Sequence, residues 1–81
     1  RKLNVLGFSS VQERIAAWLL QETDKKGMVE LKTNREEQAD YLCVARPSLS
    51  RTLMQMQKAG IIETRRNQIR ILDKEKLEKI L

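Results

Sequence analysis

Eighty-one residues, 41% of them hydrophobic and a third charged, make at most one folded domain with a core of moderate size. No apolar run approaches the roughly 20 residues that a membrane span needs. One cysteine and no histidine exclude an internal disulfide and leave no conventional zinc or iron–sulfur ligand set.

The net charge of +5 is not spread along the chain. Residues 46–70 hold Arg46, Arg51, Lys58, Arg65, Arg66 and Arg70 against a single acid, Glu63, so this segment accounts for the whole excess. A basic stretch of that density on a folded domain suits a polyanion, and nucleic acid leads the candidates. A start at Arg1 without methionine reads as a fragment, and the single Cys43 makes a reducing cytoplasm the simplest setting.

Taken in chain order, residues 1–8 read as a hinge or linker and residues 9–81 as the domain. Ser10 with Glu13 three positions later is a capping box opening a helix that ends near Thr23. Val11, Ile15, Trp18 and Leu19 give that helix one apolar face, which makes Trp18 a core residue. Asp24-Lys25-Lys26-Gly27 is turn chemistry, and residues 28–32 read as a short strand. Asn34 and Glu37 form a second capping box for a short helix to about Leu42, with Ala39 and Leu42 facing inward. Cys43-Val44-Ala45 forms a turn. Arg46-Pro47 opens a third helix that reaches Ala59, and Gly60 stops it in a left-handed cap. Residues 61–65 and 69–72 then read as a hairpin, and Asp73 caps a last short helix. The fold class is mainly α with a small β-hairpin.

On the third helix, Leu49, Thr52, Leu53 and Met56 form the core stripe. Arg51, Gln55 and Lys58 lie on the opposite side with Pro47 and Met54, flanked by Ser48 and Ser50. Small polar side chains and arginine on an exposed helix suit the major groove, where arginine donates two parallel bonds to guanine O6 and N7. Candidate base contacts on this face are therefore Ser48, Ser50 and Arg51. Arg46, at the start of the helix, has a phosphate and Asp40 as candidate partners. Candidate phosphate contacts are Asn34 and Arg35 beside uncapped amides at the start of the shorter helix, Gln55 and Lys58 along the third, and Arg65, Arg66 and Asn67 at the hairpin tip. Nothing reads as catalytic: there is no histidine, no paired-carboxylate motif and no glycine-rich phosphate loop.

Asn34-Arg35-Glu36-Glu37-Gln38-Ala39-Asp40-Tyr41-Leu42, the turn Cys43-Val44-Ala45, and Arg46-Pro47-Ser48-Leu49-Ser50-Arg51-Thr52-Leu53 together closely resemble the helix-turn-helix of the Crp/Fnr transcription regulators. The likeness extends to residues 10–15, to Lys58-Ala59-Gly60-Ile61-Ile62 and to Leu72-Asp73. It implies a winged helix-turn-helix: a three-helix core, a wing at residues 65–68 and a short C-terminal helix. It also implies a bacterial homodimer on an inverted-repeat double-stranded operator. An amino-terminal domain would bind an effector, with no cofactor in this domain and RNA polymerase as a candidate partner. Arg51 matches the family's guanine-contacting arginine; Arg46 and Ser50 match residues that some members use.

Three positions depart from the family pattern. Pro47 stands where many members place a base-reading glutamate, so the usual half-site does not transfer. Gln38 occupies a normally apolar position and is expected to loosen its helix or lie half exposed. Cys43 replaces a glycine that is often left-handed. The alternatives are a winged-helix protein-interaction module, which would need an apolar or acidic third helix, and another winged-helix DNA binder of the MarR or replication-initiator type.

Overall fold

The computed structural model describes residues 4–81. Four helices, α1 (Val11–Glu22), α2 (Arg35–Leu42), α3 (Arg46–Lys58) and α4 (Lys74–Ile80), enclose one core with strands β1 (Met28–Glu30), β2 (Ile62–Thr64) and β3 (Gln68–Ile71). Both expected capping boxes are formed. Ser10 Oγ accepts from the Glu13 amide at 3.0 Å while Glu13 accepts from the Ser10 amide at 3.2 Å. Asn34 and Glu37 repeat the exchange at 2.8 and 3.1 Å. Asp73 caps α4 through the Lys76 amide at 3.0 Å.

The three strands form a single antiparallel sheet in the order β1-β3-β2, so the expected hairpin gains a third strand from the far side of the helix pair. Val29 lies opposite Ile69, and Ile62 opposite Ile71, on the buried face. Gln68 belongs to β3 rather than to the wing tip, and its amide donates to Glu30 at 2.6 Å. Asp24 closes the turn before β1, its carboxylate accepting from the Met28 and Lys26 amides. Those two bonds, Met28's first, hold the Asp24 carboxyl below the usual carboxylate range. Gly27 in the same turn has φ +83° and would bring a Cβ within 3.2 Å of the Ile71 carbonyl oxygen, so glycine is required there.

Ile15 and Leu19 from α1, Leu42 from α2, Leu49, Leu53 and Met56 from α3, and Leu77 from α4 meet Val29, Ile62 and Ile69 in the core. Trp18 is buried with them, as its register demands. Val5, in a short 3-10 turn (Val5–Gly7), is also buried, and Phe8 packs against the cluster. The sequence reading as a hinge begins at residues 1–3, which lie outside the described residues.

The α2–α3 turn decides the placement of the exposed face. Cys43 sits in the left-handed region (φ 57°, ψ 44°), with the Val44 amide donating back to the Ala39 carbonyl at 3.0 Å. This closure normally uses glycine; a side chain in that conformation costs about 1–2 kcal/mol. Arg14 stabilises the same turn. Its guanidinium donates to the carbonyls of Leu42 (3.1 Å) and Cys43 (3.2 Å) at the end of α2, and to that of Phe8 (2.7 Å). Positive charge at a helix C-terminus also meets the negative end of its dipole. At the other end of α3, Gly60 (φ +77°) stops the helix, and the Ile61 amide turns back to Met56.

Gln38 corrects the sequence expectation. It is 1% exposed, not half exposed, and it does not loosen α2. Its amide nitrogen donates to the Thr33 carbonyl at 2.7 Å and its oxygen accepts from Arg35 at 2.8 Å. Both ends are satisfied, which removes the penalty that a buried amide otherwise carries.

Candidate nucleic-acid interface

The outward side of α3 is set by its inward side. With Leu49, Leu53 and Met56 buried, Arg46, Pro47, Ser50, Arg51, Met54, Gln55 and Lys58 are exposed, and Ser48 is half-buried at the flank. The Ala45 cap offers no side-chain acceptor, and no acid lies in the first turn. The helix therefore presents its positive dipole end and two arginines together.

The start of α2 adds a second basic element. The bond to Gln38 fixes the Arg35 guanidinium, and burial, then the charge of nearby Arg46, push its pKa below the ordinary arginine value. Like charge from Arg46 adds to that effect, and a bound anion would relieve it. The capping box takes the Glu37 amide, which narrows the uncapped amides expected here to those of Arg35 and Glu36. The Asn34 side-chain oxygen is committed to that cap, so a phosphate contact from Asn34 has to use its amide nitrogen.

The wing is a tight connection, closed by the Arg65 amide donating to the Gln68 carbonyl at 2.8 Å. Arg65, Arg66 and Asn67 are all exposed. Arg65 meets Glu63 at 3.2 Å, the one ion pair among the described residues. Arg46, Arg51, Lys58 and Arg66 thus carry charge unpaired within the domain, and the alternative pairing of Arg46 with Asp40 does not form. Asn67 is anchored through its carbonyl, which accepts from the Leu31 amide at 2.9 Å.

Two positioning residues lie outside the sequence reading. Arg14 fixes the turn between α2 and α3. Gln57 Oε1 accepts from both the amide and the hydroxyl of Thr64 at 2.6 Å, tying the end of α3 to the first wing strand. Neither shows a local signal, because each partner comes from another element. By contrast, a groove of about 310 Å³ between α1, β1 and α2 is lined by Glu22, Glu30 and Glu37 against one cation, Lys32, a net negative charge that disfavours a polyanion.

The family model described as Crp-like helix-turn-helix domain matches residues 13–80. The chain belongs to this family. It is a DNA-binding domain of the kind found in transcription regulators. Among solved structures it is similar to FixK2 from Bradyrhizobium japonicum, with 29% identity, 93% of this chain covered and a TM-score of 0.81. A crp/fnr-family protein from Eubacterium rectale gives 36% identity over 89% of this chain with a TM-score of 0.74. The CO-dependent transcription factor CooA from Carboxydothermus hydrogenoformans gives 30%, 94% and 0.76. This chain spans 40%, 33% and 38% of those three chains. No match is found among curated proteins. The family is one of regulators rather than enzymes, and no described helix is long and apolar enough to cross a membrane.

Proposed function

We propose that the chain is the sequence-reading part of a cytoplasmic bacterial regulator, placing α3 in the major groove of double-stranded DNA. Arg51 and Arg46 contact bases, with Ser48 and Ser50 beside them. Asn34, Arg35, Gln55, Lys58, Arg66 and Asn67 meet phosphates, and Arg65 does so once it leaves Glu63. The observation that carries this reading is the exposed face of α3, where Arg46, Arg51 and Lys58 stand without an acid partner and no acid lies in the first turn. That face is basic and polar, which disfavours the protein-interaction alternative.

The likeness to much longer regulators supports a whole protein that is a homodimer on an inverted repeat. The CO dependence of CooA supports an effector site on a preceding domain, with RNA polymerase a further partner. Titrating duplexes at several salt concentrations tests the phosphate contacts. Arg66→Ala should weaken every duplex alike and lower the salt slope by about one unit, while Arg65→Ala, whose charge Glu63 already offsets, should lower it less. An unchanged slope for Arg66→Ala removes the wing from the interface.

A further inference from the structure

The centre of the exposed α3 face holds two side chains to which the contacts above give no task. Pro47, Arg51, Met54 and Lys58 follow at i, i+4, i+7 and i+11, one line down the helix opposite the buried Leu49, Leu53 and Met56. Met54 is 58% exposed, one of five large apolar side chains open to water among the described residues and the only one of them on α3. Pro47 is exposed one turn before Arg51 and offers a ring with neither N–H nor charge. Along that line Pro47 and Met54 bracket Arg51 on either side.

Resting on the DNA reading above, we propose that Pro47 and Met54 are specificity-determining residues that pack on the 5-methyl groups of thymines flanking the base pair Arg51 contacts. The chemistry of the groove selects that partner. Thymine's methyl is the apolar group that base pairs offer on the major-groove edge; the other groups are donors and acceptors. A pyrrolidine ring or a thioether covers a methyl favourably. Against cytosine it would instead strip water from an amino donor that it cannot pair, which rejects the wrong base. The spacing allows it. Pro47 lies about 6 Å before Arg51 along the helix axis and Met54 about 4.5 Å after it, each between one and two base-pair steps of about 3.4 Å, so the two readers fall on opposite sides of the pair that Arg51 contacts. The preferred half-site is then A·T-rich on both sides of a G·C pair.

Two random duplex pools test this against the 81-residue chain. One contains thymine, and the other is amplified with deoxyuridine in its place, which removes only the methyl. The thymine pool should enrich thymine on both sides of a G·C pair. The uracil pool should keep the G·C pair and lose the preference beside it. In an enriched duplex, each thymine-to-uracil change should weaken binding about fourfold, the factor for one buried methyl-sized group. Met54→Ala should abolish that loss at one of the two positions and leave it at the other. The same A·T neighbours enriched in both pools would overturn the inference while leaving base reading by Arg51 intact, since groove shape rather than the methyl would then be read. Retention without any enriched sequence in either pool would remove base reading itself, and this inference with it.

Discussion

Arg51→Ala should weaken binding to a preferred duplex by about 1–3 kcal/mol and flatten the base preference at one position of the half-site. Arg51 is exposed at the middle of the α3 face, and no acid pairs with its guanidinium. Its planar fork matches guanine O6 and N7, and alanine leaves those acceptors to water. Because the side chain contributes nothing to the core, the variant should fold with a stability within about 0.5 kcal/mol of the parent. Titration of a duplex series carrying each base at every half-site position checks the result. Equal weakening of all duplexes would reassign Arg51 to the phosphate backbone.

The second large effect falls on stability. Arg14→Ala should lower the unfolding free energy by about 3 kcal/mol, since charged hydrogen bonds contribute about 1.5–3 kcal/mol each and three do not add fully. In a domain of this size that loss corresponds to a drop in melting temperature of about 15 °C. It leaves the Leu42 and Cys43 carbonyls at the end of α2 without their donor and adds to the strain at Cys43. Arg14→Lys should recover little, because one ammonium cannot reproduce the fork that spans Leu42, Cys43 and Phe8. Thermal and denaturant unfolding of both variants checks this. A loss under about 0.5 kcal/mol would mean that water serves those carbonyls equally well.

What the sequence disclosed and what it hid divide along contact range. The Ser10–Glu13 and Asn34–Glu37 caps, the Gly60 stop and the apolar stripe of α3 are chemistry within one or two turns, and each forms as read. The left-handed turn at Cys43 was legible only through the family likeness, since cysteine gives no hint of that conformation. The addition of β1 to the sheet joins Val29 to Ile69 across forty residues, and no local pattern encodes it. Gln38 looked misplaced because its partners were invisible: the Thr33 carbonyl and the Arg35 guanidinium make a polar residue acceptable in the interior.

The candidate site follows the same division. The exposed face of α3 could be read from periodicity because burial on one side fixes exposure on the other. The Glu63–Arg65 pair was within reach, since residues two apart in an extended segment share a face. The Gln57–Thr64 clamp and the approach of Arg35 to Arg46 needed the folded chain.

The most direct test of the central claim is selection of this domain, tethered as a dimer, from a random duplex pool followed by sequencing. The account predicts enrichment of an inverted repeat whose half-sites lie about one helical turn apart, with a G·C pair in each that Arg51→Ala no longer selects. Recovery of DNA with no enriched sequence, or no recovery even at low salt, would contradict it.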